Sequence, residues 1–376
     1  MDLELLRERA RIIRKLRAFF DRRNYLELDT PLLAPDLIPE TCLEVFETAF
    51  LPPRGSGEKK ETLWLIPSPE IWMKKIIARH GVNAYQICKC FRNTESRGRL
   101  HSPEFTMLEY YTVDADYRDS LALTEELFAD LLDGPGAWLG ESEAAALRPP
   151  FERIAVEDAF KRWGGFSLYQ SAARGPAAME AEARRLGLDP PPGLSVPALY
   201  DLIFIHAVEP SLPRDRPAVL IDYPAFVPCL AQNGTPLTRE RWELYINGVE
   251  LANCYSEERD PETIRRYFEV EGAEKEKTAL VKHRIDGEYW KIFLPRRGEE
   301  NGAGQNAGRS GGFPRCSGTA LGVDRLIMVL TGRSRVDGVL PFPGSAETVY
   351  RLPGVPAPAY TRPDKKPTPD SAKGLP

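Results

Sequence analysis

The stretch from Ala84 to Tyr111 concentrates Arg92, Glu95, Arg97, Arg99, His101, Phe105, Glu109 and Tyr111. Its pattern predicts a strand, a polar loop and a second strand. Period-two alternation puts Phe105, Met107, Glu109 and Tyr111 on one face of that second strand. A ring, a carboxylate and a phenol on one face make a floor for a flat base beside a cationic substrate. Arginines in the loop can pair bidentately with phosphate oxygens.

Two further segments carry chemistry. Trp242 to Glu257 reads as a hairpin about Asn247-Gly248, the strongest short signal for a type I′ turn. With that turn Ile246 opposes Val249, Tyr245 opposes Glu250 and Glu243 opposes Ala252. Glu243 and Glu250 then share a face as diagonal neighbours, about 7–8 Å apart at Cα. Magnesium is usually held by one or two carboxylates together with substrate phosphates, which this pair would suit. An exposed sheet face with two unrelated glutamates fits the same pattern. From Cys316 to Gly332, small residues in a strand would let a ligand approach closely. Asp324 reads as the cap of an apolar helix ending at Gly332. Arg325 stands at that helix start, where backbone N–H groups favour a phosphate. The chain has no Walker A pattern, which argues against a P-loop enzyme.

These groups need a scaffold, and the 376 residues are enough for one large domain or two ordinary ones. Residues 3–23 predict an amphipathic helix, with Leu5, Leu6, Ile12, Ile13, Leu16, Phe19 and Phe20 at helical spacing. Its arginines, Arg9 among them, read as a solvated face rather than a site for an acidic partner, because the net charge is −5. Tyr25 to Pro31 should be extended. Leu63–Ile66 is a short strand, and Ser68-Pro69-Glu70 opens a helix running to His80. Residues 114–209 are mixed and helix-rich, 296–312 read as a mobile loop, and the Pro-rich stretch from 341 onward as disordered. The acidic balance is not that of a dedicated nucleic-acid binder. Cys42, Cys88, Cys90, Cys229, Cys254 and Cys316 form no zinc-ligand spacing and read as reduced, mostly buried thiols. Without a membrane-length apolar run or a signal peptide, the chain is expected to be soluble and cytoplasmic.

Phe91-Arg92-Asn93 followed by His101-Ser-Pro-Glu-Phe-Thr-Met-Leu-Glu109 resembles motif 2 of class II aminoacyl-tRNA synthetases. Gly318–Arg325 resembles motif 3, and the first helix with Tyr25–Pro31 resembles motif 1. The similarity, over roughly residues 5–335, is to the lysyl-tRNA synthetase branch and its short paralogues that ligate lysine or β-lysine to translation elongation factor P. It implies an α+β fold: a mostly antiparallel sheet flanked by helices, in a catalytic domain over 1–340 with a helical insertion at about 114–210.

The resemblance also implies roles. Arg92 and Arg325 would be catalytic. Arg92 would hold the ATP α-phosphate, Phe105 stack on adenine, and His101 and Arg325 meet the outer phosphates, with Leu251 and Gly322 also at the nucleotide. The family's adenine-reading glutamate falls at Thr94 in a loop one residue longer, so Glu95 is its substitute. Ser102 replaces an asparagine and Cys254 a glycine. Glu243 and Glu250 would bind Mg2+. Glu70, Glu109, Tyr111 and Glu257 match positions that recognise the two ammonium groups of lysine. Asn253 would lie beside the carboxylate, and Ser68, Gly318 and Ala320 would complete the amino-acid site. Ala320 stands where the tRNA synthetases have glycine and the paralogues alanine. The implied activity is ATP-dependent aminoacyl-adenylate formation and transfer to a protein lysine. A homodimer through motif 1 is also implied, with tRNA not a substrate. The core beginning at the first helix, the acidic charge and the short stretch after motif 3 favour the paralogue. A truncated tRNA-charging enzyme and a non-catalytic binding paralogue are the alternatives.

Overall fold

Helix α1 (Leu3–Asp21) buries the expected apolar stripe, including Ile12, Leu16, Phe19 and Phe20. Phe20 packs on Tyr25, Tyr85 and Tyr110, with ring centroids 5.2, 4.8 and 5.0 Å away, which docks the helix on the back of a sheet. The computed structural model of the chain describes residues 3–95, 98–133, 138–295 and 312–342. Arg97, the loop expected at 296–312 (Gly312 apart) and the tail beyond Phe342 lie outside the described residues.

Along the chain follow strands β1 (Leu26–Glu27), β2 (Leu33–Ala34), β3 (Phe46–Phe50) and β4 (Glu61–Leu65), then helix α2 (Glu70–His80). Strands β5 (Ala84–Phe91) and β6 (Glu104–Val113) lead into α3 (Tyr117–Leu132). The stretch expected as a helical insertion holds α4 (Glu141–Ala146), α5 (Val156–Ala159), α6 (Leu168–Ala173), α7 (Pro176–Arg185) and α8 (Val196–Ile203). It also contains strand β7 (Glu152–Ala155), absent from the sequence reading, which pairs with β8 (Ala218–Pro224). The remainder is β9 (Thr238–Ile246), β10 (Val249–Ser256), α9 (Pro261–Thr278), β11 (Cys316–Gly322) and α10 (Val323–Leu330).

Eight strands form one sheet in the order β1-β5-β6-β11-β10-β9-β8-β7. Its interior pairs are all antiparallel, and only the edge strands β1 and β7 join in parallel. The α+β expectation therefore holds. Residues of α1, α3 and α10, with Tyr85, Tyr110, Trp242 and Leu244, form the main apolar core behind the sheet. On the opposite side Ile71, Met73 and Ile77 of α2 pack with Ile264 and Phe268 of α9 and with Tyr289. Among the described residues no helix is long and apolar enough to cross a membrane. The cysteines are all free, but only Cys90, Cys254 and Cys316 are buried, fewer than expected.

One feature of the core overturns two expectations. Arg9 does not join the solvated face of α1; it is buried and donates from Nη1 to Asp324 Oδ1 at 2.6 Å and from Nη2 to Thr106 Oγ1 at 2.8 Å. Asp324 Oδ2 accepts from the Thr106 amide at 2.7 Å, so its side chain is spent inward and does not cap α10. A buried guanidinium must be paired, and the pairing outcompetes a local cap. The far end of α10 follows the sequence reading: Gly332 takes φ 63°, and the Arg333 amide returns to Met328 O at 2.9 Å. Arg9 thus joins α1, β6 and α10 directly behind the chemistry-bearing strands. Arg9→Met leaves a buried carboxylate uncompensated and should cost about 3–5 kcal/mol in urea unfolding, with partial recovery in Arg9→Met/Asp324→Asn.

Candidate active site

Alternation along β6 turns Phe105, Met107, Glu109 and Tyr111 toward a single cavity of about 340 Å³. Six steps of strand separate Phe105 from Tyr111, a span of about 20 Å, so the cavity has two ends. Strand β11 runs antiparallel beside it, setting Gly318 opposite Tyr111, Ala320 opposite Glu109 and Gly322 opposite Met107. A Cβ on Gly318 would overlap Glu257 Oε1 and the Tyr111 ring, so only glycine fits there.

The β9–β10 hairpin turns through Asn247 and Gly248, both left-handed at φ 54° and 72°, as a type I′ turn requires. Val249 opposes Ile246 and Glu250 opposes Tyr245 as expected, but beyond them the register shifts: Ala252 opposes Leu244, and Glu243 opposes Asn253 rather than Ala252. A bulge at Leu251 is the cause. It inserts one residue and inverts the parity of the strand, so Glu250 before it and Asn253 and Tyr255 after it reach the same cavity.

At the Tyr111 end the carboxyl groups gather. Glu70, the first residue of α2, and Glu257, just past β10, both border the cavity, and between them lies an ammonium from the chain itself. Lys74 Nζ is 2.6 Å from Glu70 Oε1 and 2.5 Å from Glu257 Oε2, and the side chain is 1% exposed. Burial alone would lower this ammonium, but Glu257 and Glu70 more than offset it and hold it well above the usual lysine range. Burial pushes the Glu257 carboxyl up to about 7 against the pull of Lys74. Glu109 accepts from Tyr111 Oη at 2.6 Å through Oε1, while its Oε2 has no partner among the described residues. Burial, then the field of Glu70, keeps this carboxyl well above the normal range. Asn253 Oδ1 is likewise unpartnered, and Ser68 lines the wall beside Glu70.

At the Phe105 end the arginines gather. The Arg92 guanidinium lies 5.2 Å from the Phe105 ring centroid, with its Nε unpartnered among the described residues. Arg325 is fixed by donating from Nη1 to Glu250 O at 2.7 Å and from Nε to Leu100 O at 3.2 Å. His101 Nε2 is 3.7 Å from Glu95 Oε2; burial, then Arg325, lowers the imidazole below its ordinary value. Glu250 is pushed up to about 7 by burial and by Glu243 beside it. Glu243 itself is buried away from the cavity, with its oxygens accepting from Arg241 at 2.6 Å and Tyr245 at 2.7 Å. Among the described residues no group of three His, Cys, Asp or Glu side chains could hold a metal alone.

Of the residues assigned catalytic, nucleotide, amino-acid or metal roles from the sequence, all but Glu243 border this one cavity. Sequence reasoning missed Lys74, Tyr255 and Glu40. The Glu70–Lys74 spacing of four on a helix was a readable signal for the first. Tyr255 depends on the bulge, and Glu40 lies in an irregular loop with no periodicity to expose it.

A family profile described as tRNA synthetases class II (D, K and N) matches residues 3–346. The chain is 34% identical over 342 residues to an elongation factor P–(R)-β-lysine ligase of Mannheimia succiniciproducens, covering 90% of this chain and 95% of that protein. It is 32% identical over 346 residues to the Vibrio cholerae protein of the same description, covering 91% and 96%. The matched span contains both strand pairs of the cavity, its two ends and the α10 start. The chain belongs to the class II tRNA synthetase (D, K and N) family.

Proposed function

We propose that this chain activates lysine or a lysine isomer as its adenylate and passes the aminoacyl group to a lysine side chain of translation elongation factor P. The observation that carries this reading is a single cavity with carboxyl groups at one end and arginines at the other. A doubly cationic amino acid answers the first end and a triphosphate the second. Relatives described as elongation factor P–(R)-β-lysine ligases supply the acceptor in this reading.

In the first step the amino-acid carboxylate attacks the α-phosphorus of ATP in line. A carboxyl O–P bond forms as the bond to pyrophosphate breaks. In the second, the acceptor ε-amine attacks the activated carbonyl, AMP leaves with the bonding pair, and the amine proton passes to solvent. Catalysis is positioning and charge neutralisation by Arg92 and Arg325, without a covalent enzyme intermediate. Phe105 stacks on adenine with Glu95 at its edge, and His101 meets the outer phosphates near Leu251 and Gly322. Glu70, Glu109, Tyr111 and Glu257 take the ammonium groups. Asn253 attends the carboxylate, and Ser68, Gly318 and Ala320 line the rest of the amino acid.

A magnesium ion fits this donor set. Glu250 and Glu243 crowd each other, and the arginines opposing that charge on Glu250 are Arg325, 3.8 Å away, then Arg92 and Arg241. Glu250 would hold the ion first, with Glu243 behind it and phosphate oxygens completing the shell. Bound there, the ion neutralises phosphate charge. The catalytic unit in this reading is residues 1–340, with the insertion at about 114–210, in a cytoplasmic enzyme that does not use tRNA. Exposed Leu3 on α1 and Leu26 just beyond it support a homodimer through the motif 1 helix.

Pyrophosphate exchange should depend on lysine or β-lysine and stay at background with arginine; absence of exchange with every amino acid would remove the enzyme reading. Arg92→Ala and Arg325→Ala should each lower exchange by about 10²-fold or more. Gly318→Ala should raise KM for the amino acid by roughly tenfold or more, from overpacking against Glu257 and Tyr111, with little change in KM for ATP. Burial raises the Glu257 carboxyl to about 7 and holds Glu109 well above the usual carboxylate range. An entering ammonium lowers them, so binding should release about one proton and weaken as pH falls through 7. Calorimetry at pH 7 in buffers of different ionisation heat reads this directly.

A further inference from the structure

Strand β5 carries two thiols that its alternation puts on one face. Gln86, Cys88 and Cys90 stand opposite Glu109, Met107 and Phe105 of β6, so they share the face of the sheet that bears the cavity. Cys88 Sγ lies 3.8 Å from Cys90 Sγ, a contact in which one thiol donates to the other sulfur. Cys88 is half-buried, and Cys90 has no exposed surface. The hydrogen bond from Cys90 lowers the Cys88 thiol below its ordinary value, and the same contact, with burial, raises Cys90. The more accessible sulfur is thus the one with thiolate character, and a protonated partner stands within its reach.

The backbone permits a bond between them. Two strand steps put the Cα atoms about 6.6 Å apart. A disulfide spans about 4.4–6.8 Å between Cα atoms, with its sulfurs about 2 Å apart. The two sulfurs must therefore close by nearly half their separation, and the strand has to give. On one side it is free to do so: β1 pairs with β5 only at Ala84 and Tyr85, which leaves Cys88 and Cys90 with no strand on that edge among the described residues. On the other side β6 pairs with β5 from end to end. A pull on Cys90 is transmitted to Phe105 opposite it and to Arg92 just beyond. The Arg92 guanidinium lies 5.2 Å from that ring, and its amide donates to Pro103 O at 3.0 Å. Misplacing a positioning group by about 1 Å can cost about 10²-fold in rate.

We infer that Cys88 and Cys90 form a reversible oxidation site, where a hydroperoxide couples the two sulfurs into a disulfide and so disables the arginine end of the cavity. The loss of activity rests on the function proposed above; the bond itself does not. Cys88 as the thiolate attacks the outer oxygen of the peroxide. An S–O bond forms, the O–O bond breaks, and the displaced alkoxide or hydroxide takes up a proton. Cys90 Sγ then attacks the sulfenic sulfur, the S–S bond forms, and the hydroxyl leaves as water with the Cys90 proton. The thiol pair gives up two electrons and two protons, and the peroxide is reduced to an alcohol or to water. A small dithiol reverses the bond by exchange.

The test treats the full chain with limiting hydrogen peroxide, alkylates the remaining thiols and maps them by peptide mass spectrometry, with pyrophosphate exchange measured in parallel. Wild type should lose both thiols of the Ala84–Phe91 strand to one bridge, and exchange should fall roughly tenfold or more. Dithiothreitol should restore both readings. Cys90→Ser should leave a sulfenic acid on Cys88 that dimedone traps, and Cys88→Ser should leave none on Cys90. Cys42→Ser, which removes an exposed thiol outside the strand, should respond as wild type does. Oxidation confined to Cys42 or other thiols, or a loss of exchange that Cys42→Ser abolishes, would overturn the inference while leaving the activity intact. A bridge that forms without lowering exchange would overturn the claimed effect on the arginine end. A bridge that forms in a protein without exchange under any condition would sustain the oxidation site and overturn the proposed reaction.

Discussion

An ammonium shut away from water, Lys74 Nζ, lies between Glu70 of α2 and Glu257 beyond β10, and the character of the cavity follows from that contact. Four carboxyl groups, Glu40, Glu70, Glu109 and Glu257, border one cavity. Removing that many charges from water is prohibitive without compensation, so the molecule meets the demand in two ways. Lys74 balances Glu70 and Glu257 and fixes one oxygen of each. Burial, with the charge of Glu70 nearby, raises the Glu40 and Glu257 carboxyls to about 7 and holds Glu109 well above the usual carboxylate range. A cavity built this way carries carboxyl groups whose charge is only partly neutralised from within.

The same logic organises the arginine end with the sign reversed. Arg325 is held by two backbone carbonyls, so its position does not depend on a bound anion. Arg92 spreads over Phe105, and its Nε has no partner among the described residues. The rigidity behind both traces to Arg9 and Asp324, whose buried pair ties α1 and α10 to the Thr106 position of β6. A core ion pair of this kind contributes little net stability compared with an apolar replacement. Its geometric effect is to fix the register of the strand that carries the floor of the site.

Much of this was legible in the residues. Alternation along β6, the Asn-Gly turn, the helix beginning at Glu70 and the motif residues around Arg92 and Arg325 are local patterns, and each appears in the structure where the pattern put it. Other features failed to show because they are not local. The bulge at Leu251 leaves no mark in a run of alternating residues, yet it decides that Asn253 and Tyr255 join Glu250. Asp324 has the composition of a helix cap, and only the arrival of Arg9 from the other end of the chain diverts it.

Residue order alone determined the kind of chemistry: period-two and helical spacing depend on neighbours a few positions apart, so the faces they generate are written in the chain. Tertiary structure alone decided the electrostatic state. Whether a glutamate is ionised, protonated or paired depends on desolvation and on charges brought near by folding, as Glu257 and Glu40 demonstrate. Those fields fall off with distance in space, not with separation along the sequence, and no reading of spacing contains them.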